Sequence, residues 1–283
     1  MDLCRFFANE REKPLDTLPP NGGMCAIFPR IGCIGDSLTA GEFVSRAPDG
    51  CTEYHDLYEF SWPAYLGRLT GCEALPFAAG GMTAQCYCDS FANRRRLWSI
   101  PCHAYIIALG VNDLYHAHQE LGSAEDIDFS DWRRCRKTFA GYYGQLLLRL
   151  REVQPRAPLF LMTIPRDHRD AAAPEYGEQH AALLTSLTER FSGAYLLDFR
   201  RYAPPYDADF REKFFLGGHM NACGYLLTAQ MVAAYIDYII RHNMEQFREA
   251  GFIGTEFSWE TPRHTRRDVT ARGAESSSFP DAR

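Results

Sequence analysis

Ser37 lies in "IGCIGDSLTAGEF" (residues 31–43), where an apolar, strand-like run gives way to a helix-like opening. A serine at such a turn can cap the helix by accepting a bond from its first amides. It can also be a nucleophile held at the mouth of a sheet, with its own N–H facing the oxygen on which charge develops. A serine hydroxyl attacks a carbonyl only with a base beside it. Among the nine histidines, His219 in "FFLGGHMNACGYLLTA" (residues 214–229) stands out, because it follows a Gly-Gly turn and immediately precedes the last amphipathic stretch. Oxyanion chemistry also needs donors. Gly81 in "FAAGGMTAQ" can bring its N–H close to a ligand because it lacks a side chain, and Asn112 in "ALGVNDLYH" offers an amide N–H. The alternatives are a simple turn for Gly81 and a cap for Asn112.

Other reactive pairs carry less. His55, His103, His180, His242 and His264 lie in loops or on helices and read as surface or satisfied core residues, while His168 follows a strand-like run and is an alternative base. Cys86 and Cys88 lack the two-residue gap usual in zinc knuckles, and His116-Ala117-His118 reads as a solvated loop.

These residues need a frame. Strand-like runs are Arg30 to Gly35, Glu73 to Phe77, Ala104 to Leu109, Pro158 to Ile164 and Ala194 to Phe199. Between them, Phe139, Tyr142, Tyr143, Leu146, Leu147, Leu150 and Val153 form one helical stripe that Pro155 stops. Tyr176, Leu183, Leu184, Leu187 and Phe191 form another, closed by Gly193. Strands alternating with helices predict an α/β fold with a mostly parallel five-stranded sheet covered on both faces. In such sheets the working crevice lies outside the carboxyl ends of the strands. Ser37, the Gly81 segment, Asn112 and the loop "PRDHRD" (residues 165–170) all follow a predicted strand, so they should meet at one rim.

Composition narrows the class. With 283 residues, 46% hydrophobic and 13% aromatic, the chain can build a large core, and its net charge of -6 argues against a nucleic-acid surface. The first 23 residues mix both charges with prolines and lack a signal-peptide core, which points to a cytoplasmic setting. The apolar stretch Tyr225 to Ile240 is interrupted by Gln230 and Asp237 and is shorter than the roughly 18 residues of a membrane span. The ten cysteines are scattered and read as reduced thiols. Residues 1–24 read as an extension, 25–246 as the single domain and 247–283 as a tail, disordered from about Trp259. There is no Gly-x-Gly-x-x-Gly, no Walker loop and no His-Glu-x-x-His, so no cofactor or metal is expected. The absence of a Gly-x-Ser-x-Gly elbow argues against an α/β-hydrolase.

The blocks "GDSLTAGE", the Gly81 segment, "GVND" and "GGHMNACGY" resemble, in order and spacing, those of the SGNH hydrolases, also called GDSL esterases and lipases. "SWPAYLGRLTG" (residues 61–71) also resembles bacterial members, and the likeness runs from about Arg30 to Asn243. The resemblance implies a flavodoxin-like three-layer α/β/α sandwich and a serine esterase. Ser37 then matches the nucleophile, His219 the general base, and Gly81 and Asn112 the oxyanion donors beside the Ser37 N–H. One departure stands out: the family usually has an aspartate three residues before the histidine, and here that position is Leu216. Losing such a carboxylate can cost about ten-thousand-fold in turnover. Asp207 and Asp209 lie upstream but read as solvated loop residues, so a Ser-His dyad oriented by a main-chain carbonyl near Leu216 or Gly217 is expected. The expected substrate is a small-molecule ester with a short acyl or acetyl group, cleaved through an acyl-enzyme. A lipase, an acyltransferase and a catalytically inactive binding module of the same fold are the alternatives.

Overall fold

The computed structural model describes residues 7–171 and 173–255. The tail from Trp259 lies outside these residues. In chain order the longer strands are β1 (Arg30–Gly35), β2 (Glu42–Arg46), β3 (Thr52–Asp56), β4 (Glu73–Ala78), β5 (Ala104–Ala108), β6 (Leu159–Met162) and β7 (Ala194–Leu197). All five predicted runs form one sheet, ordered β4-β1-β5-β6-β7, and every neighbouring pair in it is parallel. This is the flavodoxin-like order, in which the winding reverses between the first strand and its other neighbour. Here the reversal falls between β1, which leads to Ser37, and β5, which leads to Asn112.

The alternation of side chains along each strand builds the two outer layers. Ile31, Cys33, Ala104, Ile106 and Phe160 pack with Trp62, Leu66, Tyr225, Val232 and Ile236 on one face. Ile34, Tyr105, Ile107, Leu159 and Leu161 pack with Tyr143, Leu147 and Leu184 on the other. With both faces covered, the strands read as continuous apolar runs, which is why the sequence reveals them. The last residues of the expected runs, Leu109, Thr163 and Ile164, Asp198 and Phe199, leave the ladder to build the rim.

Helix Phe139–Val153 begins where the Thr138 hydroxyl accepts a bond from Gly141 N at 3.1 Å, and it buries the predicted stripe from Phe139 to Leu150, while Val153 is only partly buried. Helix Pro174–Arg190 opens on a proline, whose fixed φ suits a first turn. The last helix, Ala222–His242, is longer than its apolar run suggested, because Asn221 caps it three residues earlier. Its 21 residues are long and apolar enough to cross a membrane, but 67% of its most apolar window is buried inside the molecule, as befits a core helix.

Two hairpins escape the sequence reading. β2 and β3 pair antiparallel, with Glu42 opposite Asp56 and Val44 opposite Tyr54, around a turn closed by Ala47 N and Cys51 O at 2.9 Å. Both strands are short and largely polar, so they lack the apolar run of the central sheet. A second pair, β8 (Phe215–Leu216) and β9 (His219–Met220), turns through Gly217 at φ 60°.

Past β5, Gly110 holds φ 132°, and a Cβ there would lie 2.5 Å from Nε2 of the fully buried His180. That imidazole bonds to Leu109 O at 3.0 Å, and burial pushes it down to about 4, so it serves as a satisfied core residue. Both the backbone and the close approach demand glycine here. Gly110→Ala should therefore cost about 2 kcal/mol or more, seen as a melting temperature several degrees below wild type. An unchanged melt would show that the loop after β5 can move aside.

Candidate active site

The turn after β1 resolves the first ambiguity. Asp36, not Ser37, is the cap: its carboxylate accepts from Leu38 N at 3.1 Å, which leaves Ser37 as the first residue of the short helix Ser37–Ala40. Gly41, at φ 82°, ends that helix after one turn. The Ser37 hydroxyl is thus free for another partner, and it finds His219 Nε2 at 2.9 Å. His219 stands between the Gly217-Gly218 turn and Asn221, whose side chain caps the core helix by accepting from Gly224 N at 3.0 Å.

The other two rim segments are tied to each other. Asn112 Nδ2 donates to Met82 O at 3.0 Å and lies 3.5 Å from Asp36 Oδ2. Its neighbour Asp113 accepts from Ala84 N at 2.7 Å, so the segment after β5 holds both the "GGMT" loop and the Ser37 cap. Gly81 has φ 70°, and a Cβ there would meet open space. Its left-handed backbone conformation by itself favours glycine here.

All four post-strand segments line one cavity of 270 Å³, including Ser37, Gly81, Asn112, Pro165 and His168, with His219 at its edge. Its apolar lining includes Met162, Ile164, Phe199, Tyr206 and Phe215. His168 shares the cavity, but among the described residues the imidazole bonded to Ser37 is that of His219. His116 also lines it, on the short helix that starts at Asn112.

The orientation of His219 differs from expectation. Its Nδ1 is buried and has no hydrogen-bond partner among the described residues. The Gly217 carbonyl accepts from Arg211 Nη2 at 3.1 Å instead. Asp207 caps helix Ala208–Phe214 through Phe210 N, and Asp209 pairs with Lys213 at 2.7 Å, so neither serves the ring. The expected dyad oriented by a main-chain carbonyl is therefore not what forms. The nearest carboxylate is one the sequence reading passed over: Glu42 Oε1 lies 3.0 Å from His219 Nε2. It sits inside the quoted "GDSLTAGE" block, and the signal that would have placed it is "PDG" (residues 48–50), a turn that folds β3 back on β2. That hairpin also sets the Tyr54 ring edge-on to the imidazole, with centroids 6.0 Å apart.

Burial lowers His219 below the ordinary imidazole range, and the Asp56 carboxylate works against this. Burial and the like charge of Asp56 raise Glu42. Among the described residues no group of three His, Cys, Asp or Glu side chains is placed to hold a metal ion. Cys88 donates to Tyr142 O inside the core while Cys86 is exposed, so the two thiols do not converge.

A model of the GDSL-like lipase/acylhydrolase family matches residues 33–227. No curated protein matches the chain. A possible lipase from Chitinophaga pinensis has a similar structure, with 16% identity, a TM-score of 0.53, and 75% of this chain and 98% of that one covered. A protein from Lactobacillus plantarum is similar at 19% identity and a TM-score of 0.55, over 74% of this chain and 97% of its own. Both likenesses speak for the three-layer fold.

Asp113 provides a test of the loop ties. Burial pushes its carboxyl from 3.8 up to about 7, and one of its oxygens is buried without a partner among the described residues. Between these values the folded chain holds a proton that the unfolded chain has lost, so this group makes stability fall as pH rises from about 4 to about 7. Asp113→Asn should remove that slope. In thermal melts from pH 5 to 8, the stability of the variant relative to wild type is expected to improve as pH rises; a difference that shrinks or stays constant would contradict the assignment.

Proposed function

Because the chain belongs to the GDSL-like lipase/acylhydrolase family, we propose that it is a serine ester hydrolase in which Ser37 attacks the ester carbonyl and His219 is the general base. The observation that carries this reading is the 2.9 Å contact between Ser37 Oγ and His219 Nε2 at the mouth of the shared cavity. In the cycle, Ser37 gives its proton to Nε2 as its oxygen bonds to the acyl carbon. The Ser37 and Gly81 N–H groups and the Asn112 amide face the developing oxyanion. Asn112 suits this role because its amide is already anchored on Met82 O, so it need not reorganise during the reaction. His219 then protonates the leaving alcohol, and a water activated by the same ring releases the acid.

The apolar lining supports an acyl chain lying between Met162, Ile164 and Phe215. A cavity of 270 Å³ favours short acyl groups over long lipid chains. Small soluble esters are therefore the substrate class we assign, with the alcohol portion directed to the open side. Two observations favour a second reading, a non-catalytic binding module: Leu216 occupies the place of the usual aspartate, and Nδ1 of His219 has no partner among the described residues.

Hydrolysis of p-nitrophenyl acetate, butyrate and octanoate by wild type, Ser37→Ala and His219→Ala separates the two. Activity greatest on the two shorter esters and lowered at least about a thousand-fold by either substitution is expected, with both variants folded by circular dichroism. Equal background rates in all three proteins would favour the binding module, and a preference for octanoate would overturn the short-acyl assignment.

A further inference from the structure

We infer that Glu42 is the carboxylate partner of His219, supplied by the β2–β3 hairpin in place of the residue that Leu216 displaces from the loop; its catalytic meaning rests on the serine-esterase reading above. The geometry is specific. Glu42 Oε1 is 3.0 Å from Nε2, and the two side chains are only 15% and 17% exposed, so their interaction is screened less than a surface pair would be.

The fold holds Glu42 where it is. The Tyr225 hydroxyl donates to the Glu42 main-chain oxygen at 2.6 Å, and the Phe43 ring packs on Tyr225 with centroids 5.4 Å apart. Tyr225 belongs to the helix that begins three residues past His219, so one element fixes both partners. Gly41 turns the chain back after the single helical turn that carries Ser37. Gly80 leaves room for the carboxylate: a Cβ there would lie 2.5 Å from Glu42 Oε2.

Glu42 meets Nε2, the nitrogen that also faces Ser37, so it acts on the charged form of the ring rather than by fixing a tautomer through Nδ1. When the Ser37 O–H bond breaks, its proton moves to Nε2, the Oγ–C bond forms, and the carbonyl electron pair moves onto oxygen. The imidazolium then has the Glu42 carboxylate beside its new N–H. As the C–O bond to the leaving alcohol breaks, that proton passes to the departing oxygen, and Glu42 ends with the charge it began with. A carboxylate that favours the imidazolium in this way stabilises the transition state more than the ground state. Of the remaining charged neighbours, the Asp56 carboxylate on β3 works in the same direction. Asp36 caps a helix, and Arg211 is spent on Gly217 O. His116 and His168 stand along the cavity wall.

The test is an NMR titration of the His219 ring in the full chain, wild type against Glu42→Gln and Glu42→Asp, read beside the pH dependence of p-nitrophenyl acetate hydrolysis. In Glu42→Gln the ring should titrate lower by about one unit or more. The acid limb of kcat/KM should move to lower pH with it, and the plateau kcat should fall about tenfold with KM little changed. Glu42→Asp, which keeps the charge, should return the ring toward wild type. A ring that titrates unchanged or higher in Glu42→Gln overturns the pairing, and a shifted ring with an unmoved acid limb overturns its catalytic meaning. Should the Gln variant fail to fold, the wild-type Glu42 carboxyl carbon serves instead, since it must show an inflection at the His219 titration, and its absence is equally decisive. A shifted ring in a chain that hydrolyses no ester would leave the pairing standing and remove the esterase reading, whereas an active wild type with an unmoved ring would remove the pairing alone.

Discussion

A contact of 2.9 Å joins Ser37 to His219 across 182 positions of sequence, and the rest of the molecule can be understood as the means of keeping it. Neither residue has local reasons to meet the other. Ser37 is delivered by β1, a strand paired on both sides in the interior of the sheet. His219 is delivered by the start of the Ala222–His242 helix, which packs on the same face of that sheet through Tyr225, Val232 and Ile236. Because side chains of β1 and the core helix pack into one cluster, the separation of the two side chains is set by core geometry, and protein cores yield little to small forces.

The same economy appears in the loops. Asp36 caps the Ser37 helix with one oxygen and approaches Asn112 with the other. Asn112 holds Met82 O, and Asp113 holds Ala84 N. Three segments from three strands are thereby locked by short polar contacts around a cavity whose lining is largely apolar. Asp113, one of whose oxygens is buried with no partner among the described residues, ties the segment after β5 to Ala84 and so adds local order. Here that order falls on the two segments that flank Ser37, where displacements of about an ångström matter for chemistry.

Much of this was legible from sequence because the central strands are buried on both faces and therefore write themselves as apolar runs. The five strands, the stripe from Phe139 to Leu150 and the convergence of the rim segments follow from that pattern together with the rule for parallel sheets. What was not legible lies where burial is slight. β3 is fully exposed and reads "TEYHD", and β8 and β9 have two residues each, too few to show any period. The cap was open to two readings because Asp36 and Ser37 are both good N-cap types, and only the backbone chooses between them. Glu42 was hidden for a different reason. Its position depends on Gly41 ending a helix after one turn and on a polar hairpin forming beyond it, and neither is visible as a hydrophobic pattern.

Placing the carboxylate on a hairpin rather than on the histidine's own loop has a physical consequence. Leu216 pairs across the short β8–β9 turn with His219 and is half exposed, so a charge there would be partly solvated. Glu42 lies on the shielded side, beside Ser37 and under Gly80, where solvent screens less and a single charge acts more strongly on the ring. The arrangement also brings one ring nitrogen within reach of two oxygens, those of Ser37 and Glu42, while the other nitrogen has no partner among the described residues. A proton on Nε2 is drawn to the carboxylate, and a lone pair on Nε2 is what the serine needs. The burial of His219 and the Asp56 carboxylate on β3 oppose each other, so the basicity of the ring is a property of the hairpin's placement as much as of the histidine itself.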